Sequence, residues 1–430
     1  MSTSVLDTVV VGAGQAGLGT SYFLQQAGLS HVVLERGRIG ESWFSQRWDS
    51  FQINTLNAIS TLPGFPYEGA EPDGFWRRDE LVAYFLRYAD RAQLPIQTDC
   101  TVISVERPDD AGNFVVTYGA TGQAPLKVTS RAVVIASGVQ QAPKVPVIRS
   151  RIPGDIMQLH TATYRNSAAL PPGAVVVVGS GQSGVQIAED LLNAGRKVYL
   201  CTAKVGRIPR RYRGRDNTEW SIESKYWDAT LASLQDKTII RATQPQISGV
   251  GRYGHSVSLQ SLARQGAVIL GRLLDVDKDN LMLSDEAAAN VRFADKISLQ
   301  RKADIDAYIT RAGMTLPPLE DDPADEPDPD AKCASPLRQL NLHDAGVSTI
   351  IWATGFTADF SWIRVPVLDQ DGMPIHEHGV SPVRGLYFIG LPWLYKRKSG
   401  FIYGVTEDAQ YIGNAISEQL SSRKQQEPQP

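Results

Sequence analysis

The 430 residues carry 43 Lys and Arg against 46 Asp and Glu, a formal net charge of -3 that gives no global attraction to nucleic acid or to a membrane surface. A chain of this length suggests two or three modules with large cores, and no run reaches the roughly 18 apolar residues that a membrane span needs. The three cysteines, Cys100, Cys201 and Cys333, lie far apart with no CxxC pair, which excludes a zinc ribbon or a redox dithiol and fits a reducing, cytoplasmic compartment.

The first element is a β-branched run, Thr8 to Val11, that reads as a buried strand rather than a secretory signal, because no basic region precedes it. It breaks at Gly12-x-Gly14-x-x-Gly17, and a helical pattern follows through Leu24. Gly12 permits a tight turn, Gly14 lets backbone approach a pyrophosphate, and Gly17 lets helix pack on strand. Gln15 and Ala16 open the helix, whose N-terminus faces the phosphates. A second strand, His31 to Leu34, ends at Glu35, followed by Arg36. An acid at that position accepts hydrogen bonds from a ribose.

Residues 40–66 are rich in aromatics and prolines and read as a loop wrapped over a large planar ligand. Asp79 is expected to cap a helix with Leu81, Phe85 and Ala89 on one face. Strands at 101–106 and 113–118 are separated by the turn signal Pro108-Asp-Asp-Ala-Gly112, and the strand 131–138 ends in small residues.

Residues 171–184 repeat the opening element. Gly179, Gly181 and Gly184 have the same spacing, after a strand and before a helix from Val185 to Leu192, with Gln182 and Ser183 in the positions of Gln15 and Ala16. The strand 197–201 then leads to Thr202, where Glu35 stood in the first copy. Thr202 removes the repulsion that an acid would exert on a 2′-phosphate, and Lys204 and Arg207 are expected to pair with that phosphate. Arg210, Arg211, Arg213 and Arg215 could extend the patch, or these arginines could brace a domain interface. From 214 to 330 the pattern is hard to read, with a helical stretch at 258–264 and a strand at 267–270. The acidic, proline-rich stretch 317–330 reads as a solvated loop. A strand follows at 348–355, another at 385–390, and a helix is expected to open at Thr406.

The order implies an α/β fold of two Rossmann-like dinucleotide-binding domains, one inserted into the other. The first domain would occupy residues 1–145, the inserted domain 146–334, the return 335–420, and a disordered tail 421–430. The elements near 138 and 355 are natural crossings.

Taken together, the chain resembles the class B flavoprotein monooxygenase superfamily, which includes flavin-containing monooxygenases, plant auxin-forming monooxygenases and Baeyer–Villiger enzymes. The resemblance covers roughly residues 5–420. It rests on the two fingerprints, Gly40-x-x-Trp43, Ala353-Thr354-Gly355, Gly385-Leu-Tyr-Phe-Ile-Gly390 and the closing Ser399-Gly-Phe-Ile-Tyr-Gly-Val-Thr-Glu-Asp-Ala409. It implies FAD at the first fingerprint and NADPH at the second, with Trp43, Thr354, Gly355 and Gly390 among the cofactor-binding residues. It also implies a catalytic amide at Asn54, in the pair Asn54-Thr55. The usual marker before the second fingerprint is altered in Ile152-Pro-Gly154 to His160-Thr-Ala-Thr-Tyr164, where Ile replaces Phe and the histidine comes late. That departure argues against a standard Baeyer–Villiger enzyme. The resemblance further implies that the cofactor carries the chemistry: NADPH would reduce the flavin, oxygen would give a flavin peroxide, and one oxygen would pass to a soft nitrogen or sulfur, favoured over a carbonyl. The alternative is a flavin reductase or oxidase passing electrons to another acceptor. Molecular oxygen and a small molecule are the expected partners, with neither nucleic acid nor membrane, and a homodimer is compatible. The pair His376-x-His378 reads as solvated rather than metal-binding.

Overall fold

Val9–Val11, Val33, Leu34 and Val133–Ile135 are all buried. Runs that are apolar on both faces are satisfied in the interior of a parallel sheet with helices on either side. The computed structural model describes residues 5–426 except 109–111, 121, 236–239, 241–242, 252 and 316, so the expected turn at 108–112 lies largely outside the described residues.

Leu6–Val11 (β1) leads into Gln15–Gln26 (α1) and His31–Leu34 (β2). Glu41–Ser45 (α2) interrupts the expected loop, and Arg78–Arg91 (α3) follows. Arg77, not Asp79, is the N-cap of α3, and its N–H donates to Glu80 at 2.9 Å. Ile96–Gln97 (β3), Thr101–Glu106 (β4), Phe114–Gly119 (β5) and Leu126–Ile135 (β6) complete the first part. The chain then crosses through Ala142–Pro143 (β7) into Met157–His160 (β8), Ala174–Val178 (β9), Gln182–Asn193 (α4) and Val198–Cys201 (β10).

A small hairpin, Arg211–Tyr212 (β11) and Arg215–Asp216 (β12), precedes Asn217–Glu223 (α5), Leu259–Arg264 (α6) and Val268–Leu270 (β13). Leu273–Asp277 (β14) and Asn280–Leu283 (β15) lead to the long helix Ala287–Arg311 (α7). The last elements are Gln339–Asn341 (β16), Val347–Trp352 (β17), Phe356–Thr357 (β18), Leu386–Phe388 (β19) and Ile402–Gln426 (α8). Helix α8 therefore starts one turn before Thr406 and continues past Ser421, where disorder was expected. Among the described residues, no helix is long and apolar enough to cross a membrane.

The first sheet has the order β3-β2-β1-β6-β5-β4, with β19 joining β6. The second has the order β13-β10-β9-β17-β8, and all its pairings are parallel. Each is a doubly wound, Rossmann-like sheet with its glycine turn at the first strand. Because β17 pairs with β9 and β8, residues up to 352 stay with the second sheet, and the first sheet is rejoined at Ile363, which bridges Val105 of β4, and then at β19. The strand expected within the return at 335–420 thus pairs in the second sheet. At the crossing, β7 and β18 pair antiparallel, and Lys144 N–H donates to Gly355 O at 2.9 Å.

Candidate functional site: two dinucleotide cradles

The two glycine turns are built from the same bonds. Gly12 N–H donates to Leu34 O at 2.8 Å, and Gly179 N–H donates to Cys201 O at 2.9 Å. Ala136 N–H donates to Val11 O, and Ala353 N–H to Val178 O, both at 2.9 Å. Gly12 and Gly179 have φ of 106° and 111°, a region that favours glycine. A Cβ on Gly17 would lie 1.8 Å from Gly12 O, and one on Gly184 would lie 1.9 Å from Gly179 O. Helix and strand are therefore in backbone contact. By contrast, a Cβ on Gly14 would meet nothing within 4 Å, and one on Gly181 only Thr243 at 3.6 Å. These two glycines keep open the space in front of each helix N-terminus, which is the shape that a pyrophosphate requires.

The cradles differ in how the turn is latched. Glu35 is buried at the end of β2, accepting from Ala13 N–H at 2.7 Å and from Gly37 N–H at 3.0 Å. Arg36 beside it is exposed. In the second cradle Thr202 stands at the position of that acid. The equivalent latch is Ser180, whose hydroxyl accepts from Ala203 N–H at 3.0 Å, a role that a lone serine in a glycine turn does not announce. Thr202 is buried, donating to Leu270 O at 2.7 Å and accepting from Asn290 at 3.0 Å. Its hydroxyl serves the strand end.

The basic cluster is reassigned. Arg207 is only 1% exposed and is held by Asp295 and Asp325. It is a structural ion pair, and the expectation that it meets a 2′-phosphate is overturned. The same contact corrects the reading of 317–330, since Asp325 is buried and also accepts from Lys302 at 2.7 Å. Arg210 is buried on Asp216, Arg213 pairs with Asp306, and Arg215 pairs with Glu223. Lys204 remains exposed, its ammonium 4.9 Å from the centre of the Phe293 ring.

Several segments converge on the first cradle. Trp43 Nε1–H donates to Gln15 Oε1 at 2.9 Å, and Gln15 Nε2–H reaches Gly400 O at 3.5 Å. A Cβ on Gly390 would stand 2.8 Å from that of Ala16. The Trp43 loop, the end of β19 and the start of α8 are thus brought to one helix end. The Arg47 guanidinium lies 5.2 Å from the Trp43 ring centre and donates to Gln140 at 2.8 Å. Burial pushes its pKa down to about 10, so it stays charged, yet no sequence signal marked it. Gln182 mirrors Gln15, donating to Ser248 O at 2.6 Å and accepting from Ile247 N–H at 2.8 Å, with Ser183 half-buried beside it.

Asn54 lies between the two modules. Its Oδ1 accepts from Gln186 of α4 at 3.4 Å, and its carbonyl accepts from Arg210 at 3.0 Å. Thr354 and Gly355 lie at the crossing, where Thr354 donates to Lys144 O. His160 accepts from Ala162 N–H at Nδ1 (3.2 Å), so its Nε2–H donates to Gly355 O at 2.9 Å. Burial lowers its pKa. This neutral imidazole ties β8 to the crossing. His378 is not on a strand; it stacks between Tyr395 and Tyr411, with ring centres 3.9 and 3.7 Å away. The three cysteines are free. Burial raises the pKa of all three thiols, to about 12 for Cys201 and Cys333.

The model of the pyridine nucleotide-disulphide oxidoreductase family matches residues 9–256. The chain is 33% identical to CzcO, an uncharacterized oxidoreductase of Bacillus subtilis (strain 168), over 94% of this chain and 97% of that one. It is 26% identical to the probable indole-3-pyruvate monooxygenase YUCCA3 of Arabidopsis thaliana, over 57% of each chain. In fold it is similar to a flavin-containing monooxygenase from Stenotrophomonas maltophilia, with a TM-score of 0.64 and 17% identity, covering 97% of this chain and 99% of that one.

Proposed function

Because the chain belongs to the pyridine nucleotide-disulphide oxidoreductase family, with the relatives and neighbours of a class B flavin monooxygenase, we propose that it binds FAD at the first cradle and NADPH at the second and oxygenates a small molecule at nitrogen or sulfur. The observation that carries this reading is the pairing of two duplicated cradles with thiols that are free and held above their ordinary pKa. A dithiol relay needs a thiolate, so the electrons are expected to pass to oxygen rather than to a disulfide. Bound FAD would supply two-electron transfer from the nicotinamide and insertion of one oxygen atom from dioxygen.

The chain's own residues bind and orient. Gly14 and the N–H groups opening α1 receive one pyrophosphate, with Glu35 beside the ribose. Gly181 and the start of α4 receive the other. Trp43, Gln15 and the start of α8 shield the flavin side from water. The test is stoichiometric: NADPH consumed, thioanisole sulfoxide formed and hydrogen peroxide released are counted together. Sulfoxide matching NADPH supports the reading, whereas peroxide alone, or preferential conversion of cyclohexanone to its lactone, defeats it.

NADPH preference rests on the absence of an acid at Thr202 and on the exposed ammonium of Lys204. One charge-assisted bond contributes roughly 1.5–3 kcal/mol, or about 10- to 150-fold. Lys204→Ala is expected to lower the NADPH/NADH ratio of kcat/KM by about tenfold or more. A ratio unchanged by this substitution would move the phosphate contact elsewhere.

Asn54 is proposed to steady the reacting side of the flavin from the domain boundary. Its Nδ2–H has no partner among the described residues. Asn54→Ala is expected to retain flavin reduction but raise peroxide release a few-fold, on the scale of one lost hydrogen bond of about 1 kcal/mol. Unchanged coupling would make Asn54 an interface residue only.

A further inference from the structure

The arginines at most 5% exposed among the described residues are Arg207, Arg210 and Arg301. The first two sit on carboxylates. Arg301, 5% exposed on α7, does not: its Nε–H donates to Asn217 Oδ1 and its Nη2–H to Ser221 Oγ, both at 2.8 Å and both neutral. Asp304, one turn further along α7, accepts from Gln300 instead. Nη1 has no hydrogen-bond partner among the described residues.

A second guanidinium shares the same aromatic ring. Arg301 and Arg397 lie 4.3 and 4.2 Å from the centre of the Tyr226 ring, and Arg397 is also 4.7 Å from that of Trp393. Arg397 has no ion-pair partner among the described residues. Its Nε and the Nε1 of Trp393 are buried without hydrogen-bond partners. The acids on the same segments, Asp228 and Glu407, are bridged by Lys396 and Lys398. Neither guanidinium thus has a carboxylate partner among the described residues. Two like charges and unpaired buried donors are costly unless an anion joins them. Arg397 lies three residues before Gly400, which Gln15 of the first cradle contacts, while Arg301 belongs to the inserted module. An anion between them would therefore lie at the boundary of the two modules, close to the flavin side.

We propose that Arg301 and Arg397 hold the carboxylate of an organic substrate, with Tyr226 and Trp393 against its apolar body. This rests on the monooxygenase reading above and gives its substrate class. A planar fork of donors suits a carboxylate, and the dinucleotide phosphates already have the two helix N-termini and Lys204.

The probes are a matched pair of thioethers, 4-(methylthio)benzoate and thioanisole, titrated into the oxidised FAD holoprotein and followed by the flavin spectrum and by calorimetry. The parent is expected to bind the carboxylate more tightly. Arg301→Gln and Arg397→Gln should each lower the binding ratio of the two probes by roughly 10- to 150-fold, with Arg301→Lys intermediate. Should Arg301→Gln fail to fold, the half-buried Arg397 carries the test. Equal binding of the two probes by the parent, or a ratio that both glutamine variants preserve, overturns the proposal. So does a loss of NADPH affinity in place of carboxylate affinity, which would assign the guanidiniums to the dinucleotide. Binding is read without turnover, so tight carboxylate binding by a protein that releases only peroxide would sink the oxygenation reading and leave this one standing.

Discussion

Gly14→Val is expected to give a folded, colourless protein. A Cβ at this position meets nothing within 4 Å, and Gly14 has φ of -81°, which any residue adopts. The substitution therefore costs the fold little. Its side chain would instead enter the space in front of α1 that a pyrophosphate needs, where backbone N–H groups and the helix dipole favour negative charge. Gly17→Ala provides the contrast. Its Cβ would lie 1.8 Å from Gly12 O, so helix and strand must separate and the protein is expected to lose its fold along with its flavin. Flavin content of the purified proteins, with circular dichroism as the check on folding, distinguishes the two. Full flavin in folded Gly14→Val would remove FAD from the first cradle.

Arg207→Ala is expected to destabilise the protein while leaving cofactor choice alone. The guanidinium is buried and donates to Asp295, Asp325 and Ser298. Removing one partner of a buried pair costs about 3–5 kcal/mol, because the other charge stays buried. Lys302 still neutralises part of Asp325, and Gln260 still donates to Asp295, which puts the expectation at the lower end of that range. Denaturant unfolding of Arg207→Ala should show this loss, and the NADPH/NADH ratio of kcat/KM should stay within about twofold of the parent. A collapsed ratio with unchanged stability would return Arg207 to the phosphate. Together with Lys204→Ala, the pair separates a charge that recognises from a charge that holds.

The amino-acid sequence alone determined the parts whose physics is local. Gly12, Gly14 and Gly17, and their copies at 179, 181 and 184, are dictated by contacts within a single turn: a positive φ, an open approach and a helix touching its own strand. The spacing therefore carried the two cradles, and with them the α/β class. Glu35 and Thr202 followed from spacing, since each stands 18 residues after the last glycine of its fingerprint.

Only the tertiary structure decided which charges are free. Arg207 and Lys204 look alike in sequence, three residues apart in a basic run. One meets Asp295 and Asp325 from 88 and 118 residues away, and the other meets solvent beside Phe293. Helix α7 was hidden for the same reason: its inward face carries Asp295, Ser298 and Arg301, polar residues that blur the apolar stripe by which a helix is recognised. The strand Val347–Trp352 could have served either sheet, because a buried parallel strand has no polar face to give its address. Its neighbours β8 and β9 place it in the second sheet. Local geometry is written in short spacings, whereas ion pairs and sheet membership depend on partners that the chain meets only once it has folded.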